Sequence, residues 1–400
     1  MRCAKCGACT VVCPVYKASG GKEQYSARGK NHLAGVAEYE QPTPVFEDIF
    51  AKCLLCGACT KACPRGIDVS REVIRARSGF SRFYGEHGFE KFLARKVLHH
   101  PEILGAVRVA GRAAAGLLAG RLPKESGLRL RLAMFESGQS EISEAVPLPV
   151  IYSEGSRKFS YFPGCSAEYL YPEIVDACRQ IFARFFFALE IPENLGCCGL
   201  AVHAAGDGEG ARRLARKNIA ALEENENPIL ISCGSCFAHL SHYRELFAEE
   251  PDWLERAEKV CGRLVEMSRF LDGLLSSADG MPGVQKSTRT FRVFYHDPCH
   301  LRNKLDITRE PRRILRSQAG VELLELPDGP QCCGQGGLFH IGAPQLSALI
   351  RDDLAKKVFA LRPDIITSTC SGCLMQWKTA VSAAGIEVQV LHLAEFLQML

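Results

Sequence analysis

Two runs of cysteine constrain this chain more tightly than any other feature. Cys3-x2-Cys6-x2-Cys9-x3-Cys13-Pro14 recurs fifty positions later as Cys53-x2-Cys56-x2-Cys59-x3-Cys63-Pro64. Three thiolates two residues apart can wrap three irons of one [4Fe-4S] cube, while a fourth, held off by a proline turn, reaches a neighbouring cube. The spacing therefore assigns Cys3, Cys6, Cys9 and Cys63 to one cluster, and Cys53, Cys56, Cys59 and Cys13 to a second. Structural zinc normally takes two separated Cys-x2-Cys pairs, which a repeated triplet with a trailing proline fits poorly. Gly7 and Gly57 fall where backbone is expected to pass close to the inorganic core, its N–H groups turned toward sulfur.

The other twelve of the 20 cysteines follow a long cysteine-free stretch, and ten of them form a second repeat. Cys165, Cys197-Cys198-Gly199 and Cys233-x2-Cys236 are matched by Cys299, Cys332-Cys333-Gly334 and Cys370-x2-Cys373, at offsets of 134, 135 and 137. Repetition at this scale means two copies of one domain. Short apolar runs at 159–162, 228–231, 292–295 and 364–367 each stop just before a cysteine. Periodic stretches at 174–187, 210–224, 310–318 and 345–361 read as helices. Alternating strand and helix predicts an α/β unit with a parallel sheet, whose ligands gather beyond the carboxyl ends of the strands. The lone Cys178 and Cys261, inside helical patterns, read as small apolar core residues.

Composition narrows the class. A chain of 400 residues that is 47% hydrophobic and 24% charged can build cores of its own, so a disulfide scaffold is not expected. The first residues offer no signal peptide, and thiols in a reduced, cytoplasmic setting are usually metal ligands or catalysts. A net charge of +4 is too small a bias to argue for nucleic acid.

On these motifs the chain resembles the glycolate and lactate oxidase type of iron–sulfur subunit. Its Cys-Cys-Gly repeats are similar to the cysteine-rich domain of heterodisulfide reductase catalytic subunits and of anaerobic glycerol-3-phosphate dehydrogenase iron–sulfur subunits. Arg28-Gly29-Lys30 resembles a basic element found between the two ferredoxin runs of the glycolate oxidase type. The resemblance implies an α/β fold class: an α-helical two-cluster ferredoxin module at 1–80, a basic amphipathic helical linker at 81–155, and cysteine-rich domains at 156–285 and 286–400. Many glycolate oxidase-type chains lack the first cysteine of Cys-x2-Cys, whereas here Cys233 and Cys370 retain it, as in the heterodisulfide reductase type. That likeness implies up to two noncubane [4Fe-4S] clusters, one on Cys165, Cys197, Cys198, Cys233 and Cys236, the other on Cys299, Cys332, Cys333, Cys370 and Cys373. The implied role is electron transfer from a partner FAD subunit oxidising a 2-hydroxy acid toward quinone or another membrane acceptor, without nucleic acid. The alternative is cleavage of a disulfide at a noncubane cluster.

Other signals carry less. His296 and His300 flank Cys299, and His340 follows the second Cys-Cys-Gly; they read as hydrogen-bonding support for the site, with proton transfer as the alternative. Gly334-Gln335-Gly336-Gly337 lacks the register of a nucleotide loop, and no flavin fingerprint is visible. Between Arg82 and Arg131 ten basic residues face four Glu, with Ile103 to Val107 and Leu117 to Ala119 interleaved, an amphipathic linker or a surface for anionic lipid.

Overall fold

The computed structural model describes residues 3–36, 42–118, 131–135, 157–277 and 289–400. Two four-stranded sheets carry the C-terminal two-thirds. The first is built from β1 (Arg157–Phe162), β2 (Phe187–Glu190), β3 (Ile229–Ile231) and β4 (Leu264–Glu266), in the order β2-β1-β3-β4. The second repeats it with β5 (Phe291–Tyr295), β6 (Val321–Leu324), β7 (Ile365–Ser368) and β8 (Gln389–His392), in the order β6-β5-β7-β8. Every pairing is parallel, with Ser160 opposite Ile229 in one sheet and Val293 opposite Ile365 in the other. Equal strand order and parallel pairing agree with the duplication read from the cysteine offsets.

The central strands β1, β3, β5 and β7 lie where the apolar runs place them. The four edge strands are absent from the sequence reading, because short edge segments with one polar face lack the continuous apolar signal of a strand buried on both sides. One of them begins at the last residue of an expected helix. The helix that starts at Pro172 ends at Ala183, short of the expected Phe187, because Phe186 turns left-handed at φ 61° and Phe187–Glu190 then pairs as β2. The other three expected helices appear as Gly208–Leu222, Arg309–Arg316 and Pro344–Ala360.

The two sheets share one core rather than two. The final helix, Leu393–Met399, buries Phe396 and Leu397 completely and packs on helix Pro172–Ala183 of the other copy. Fully burying side chains of that size stabilises by about 1.5–3 kcal/mol each. Gln398 donates to Gln180 at 2.6 Å, and Arg313 pairs with Asp272 across the same seam. Cys178 lies in this core against Met267 Sδ at 3.7 Å, and Cys261 donates to the Leu240 carbonyl at 3.2 Å, as expected of non-ligand thiols.

The N-terminal module is all helical. Asp68 caps helix Val69–Ser78 by accepting from Ser70 N and Arg71 N, which aims Arg77, two turns on, into the module. The buried Arg77 guanidinium donates to the carbonyls of Phe50, Ala51 and Cys53, and also to that of Ala204 in the first sheet domain at 2.6 Å. One side chain thus fastens the module to its neighbour. Two linker helices follow, Gly88–His99 and Ile103–Leu118. Residues 119–130 and 136–155 of the expected linker, including Ala119, Arg121, Lys124, Glu125 and Arg129, lie outside the described residues, as do the boundaries at 155/156 and 285/286. Among the described residues no helix is long and apolar enough to cross a membrane.

Candidate metal centres

In the N-terminal module two short helices, Ala8–Val11 and Ala58–Lys61, each begin at a glycine in the left-handed region, Gly7 at φ 80° and Gly57 at φ 75°. Glycine adopts that backbone angle without strain, and among protein atoms a Cβ on Gly7 would meet nothing closer than Arg28 at 3.8 Å. Each turn swings its cysteine triplet around one spot. Cys13, Cys53, Cys56 and Cys59 line a single cavity, so the structure places Cys13 beside the second triplet. On the other side Cys9 faces Cys3 and Cys63. Backbone N–H groups of Ile67, Arg65 and Gly66 point at Cys63 and hold its thiol below the usual range, while burial pushes Cys59 up to about 12. A cavity ringed by four sulfurs, with N–H groups turned inward, is the donor set a [4Fe-4S] cluster requires, and these residues fit one.

The ten later cysteines sit at or just beyond the carboxyl ends of the parallel strands. Cys165, Cys233, Cys299 and Cys370 follow β1, β3, β5 and β7 at the starts of helices, while the Cys-Cys pairs follow β2 and β6. Gly199 at φ 89° and Gly334 at φ 85° turn the chain after each pair, and each donates its N–H to the sulfur of the first cysteine at 3.5 Å. In the first domain Cys165 lies beside Cys197, Cys197 beside Cys198, Cys198 beside Cys236, and Cys236 beside Cys233. In the second, Cys299, Cys332, Cys333, Cys373 and Cys370 form the equivalent row in the same order. The structure thus brings each set of five together. In addition the two rows meet, because Cys233 neighbours Cys370. That contact, and the approach of Cys56 to Cys332 and Cys299, went unread in the sequence.

Close packing at this junction explains the small residues inside each Cys-x2-Cys. Gly234 donates to the Thr369 carbonyl at 2.7 Å, and a Cβ there would overlap Leu301 at 2.6 Å. Ser235 lies 3.2 Å from Cys370 Sγ and 3.3 Å from His300 Nδ1. Gly/Ser at both inner positions of both motifs was the legible signal for this seam.

The histidines behave as support. His296 brings a ring nitrogen within 4.8 Å of Cys333 and Cys373 and is buried among them. Burial holds both His296 and His300 down at about 4. His340 instead meets the Gly337 carbonyl at 2.6 Å, and Gly336 and Gly337 form a left-handed turn packed on Leu54 and Ala201 rather than an open phosphate loop.

Comparison with known proteins agrees with this layout. Residues 1–67 match the family model for the 4Fe-4S dicluster domain, and residues 159–241 and 293–378 match that for the cysteine-rich domain. The chain is 28% identical to the probable glycolate oxidase iron-sulfur subunit of Bacillus subtilis, over 99% of this chain and 93% of that one. It is 30% identical to lactate utilization protein A of Halalkalibacterium halodurans and to lactate utilization protein A 2 of Bacillus cereus, across 60% of this chain and 96% and 97% of theirs. The chain belongs to this family of iron–sulfur oxidoreductase proteins, and its role is iron–sulfur electron transfer.

Proposed function

We propose that the chain is the iron–sulfur subunit of a flavin-dependent 2-hydroxy-acid dehydrogenase complex, carrying electrons from a partner FAD subunit toward quinone or another membrane acceptor. The observation that carries this reading is the continuity of the thiols. Helices Ala8–Val11 and Ala58–Lys61, which carry Cys9 and Cys59, pack on each other, Cys56 lies beside Cys332 and Cys299, and Cys370 lies beside Cys233, whose row leads on to Cys165. When bound, a [4Fe-4S] cluster supplies one-electron uptake and release. The protein's part is to hold four such sites in file and keep water from the inner ones, with Cys3, Cys6, Cys9 and Cys63 at the first, Cys13, Cys53, Cys56 and Cys59 at the second, and the two sets of five beyond. Names of the relatives support the substrate class, glycolate or lactate.

A second reading, reduction of a disulfide at a noncubane cluster, is favoured by one feature, the retention of Cys233 and Cys370 at the contact between the two sets of five. Co-purification distinguishes the two. A flavoprotein partner and 2-hydroxy-acid-dependent bleaching of the cluster absorbance support the first; turnover of a thiol–thiol heterodisulfide by the isolated chain, with no flavoprotein partner, refutes it.

A further inference from the structure

We propose that Lys30 is a built-in counter-charge of the Cys13, Cys53, Cys56 and Cys59 site and sets its reduction potential above that of the Cys3, Cys6, Cys9 and Cys63 site. The inference rests on the reading that both sets hold [4Fe-4S] clusters, and it adds the direction in which an electron settles between them.

Lys30 is 2% exposed, the least exposed Lys or Arg among the described residues, and it lines the same cavity as the four cysteines. Its ammonium donates to the Tyr25 carbonyl, which leaves two N–H groups for the cavity. Among the described residues no carboxylate forms an ion pair with it. The sulfurs of Cys53, Cys13 and Cys59 face it, as does the like charge of Arg77. A buried cation without a carboxylate partner is costly, so the site is arranged for its four cysteines to carry negative charge together, as they do when they hold a cluster.

The local fold turns Lys30 inward. Gly29 presses on the turn before it so closely that a Cβ would lie 2.2 Å from the Glu23 carbonyl oxygen, and its N–H donates to Ser26 Oγ at 2.8 Å. With Gly29 docked, the next side chain of helix Ala27–Val36 has only the cavity to enter. Arg28 takes the opposite course, remaining exposed and pairing with Glu23 at 2.7 Å. The other cation at the cavity, Lys52, is neutralised by Asp48 at 2.7 Å and Glu86 at 3.2 Å.

The two four-cysteine sites are thus alike in ligands and unlike in charge. The cations that face the first, Arg28 beside Cys9 and Arg65 beside Cys63, are solvated, whereas a dry lysine without a carboxylate partner faces the second. Reduction adds one negative charge to a site, and a fixed positive charge in a low-dielectric wall stabilises the reduced form far more than a screened surface ion does. An electron therefore settles on the inner site, the one whose Cys56 abuts Cys332.

The test is a potentiometric titration, followed by electron paramagnetic resonance, of the full chain reconstituted anaerobically. In Lys30→Met the equilibrium constant for passing an electron from the outer to the inner site should fall about tenfold or more, a drop of about 59 mV in one couple with the other unmoved. Lys30→Arg should restore most of it, and Arg28→Gln should leave the Lys30-sensitive couple in place. Unchanged couples in Lys30→Met at full iron content would overturn the proposal. Loss of about four irons from both Lys30→Met and Lys30→Gln would overturn it too, by making Lys30 structural. The titration needs no partner, so a failure of the flavoprotein reading would appear separately, in the co-purification.

Discussion

Cys233 and Cys370 occupy equivalent positions in the two copies of the duplicated domain, and their thiols are neighbours across the seam. The contact makes the two sets of five cysteines neighbours instead of independent sites. Cys233→Ser should therefore disturb the spectroscopic signature of both sites, as should Cys370→Ser, whereas Cys165→Ser and Cys299→Ser, at the far ends of their rows, should each disturb one. Iron quantification and Mössbauer spectra of the four variants check this, with about sixteen irons expected when four sites fill and about eight when the cysteine-rich sites stay empty. Strictly one-site effects for Cys233→Ser and Cys370→Ser would mean the sulfurs do not communicate.

Arg77 satisfies four carbonyls from two parts of the chain with one buried charge. Arg77→Met should cost about 3 kcal/mol or more, because hydrogen bonds to a charged group are lost and buried carbonyls are left without donors. Denaturant unfolding should show the loss, and limited proteolysis should release the N-terminal module early. A variant as protease-resistant as the parent would place the inter-module attachment elsewhere.

The paired turn glycines differ in what surrounds them. At Gly199 a Cβ would find its nearest neighbour at 3.6 Å, but at Gly334 it would lie 2.9 Å from the Ser347 carbonyl oxygen. Both substitutions to Ala force a left-handed residue, worth about 1–2 kcal/mol. Gly334→Ala adds a steric clash and should be the more destabilised of the two, with iron lost selectively from the second set of five. Equal melting temperatures for the two variants would refute the distinction.

His392 joins the copies differently, and its chemistry is pH-dependent. Its Nδ1 accepts from Ala394 N at 3.2 Å as a helix cap, so the proton of the neutral ring sits on Nε2, 3.1 Å from the Ser232 carbonyl of the other domain. Burial lowers its folded pKa to about 4, against an ordinary value near 6.5. The unfolded chain thus binds the proton first, and the stability contribution is complete above about pH 6.5 and is lost as pH falls toward 4. The full effect is about 3 kcal/mol. The slope of unfolding free energy against pH between 6.5 and 4 should flatten in His392→Asn relative to the parent; identical slopes would show that His392 does not titrate in this window.

Much of this architecture was legible because cysteine spacing is a geometric statement. The parallel sheets followed from strand–helix alternation, and the spacing already aimed Cys13 at the second triplet and each five at one place, where the structure puts those residues together. Edge strands such as Val321–Leu324 were not legible, since alternating burial over four residues carries too little periodic signal. Contacts between repeats were illegible for a different reason. Cys233 against Cys370, Cys56 against Cys332 and the inward turn of Lys30 depend on how finished units dock, and docking leaves only faint local marks, such as Gly and Ser between the cysteines.

The linker helices acquire a role from where they lie. Leu98 and Leu104 close over Cys165 and Cys197, while Leu93 and Val109 on the same two helices face outward. The remote end of the thiol row is thus sheathed by a single helical layer, about 10–12 Å thick. The row has an open mouth at Cys6 and a thin insulated tip at Cys165, and a carrier drawing electrons from the tip would need only to rest on the outside of that sleeve.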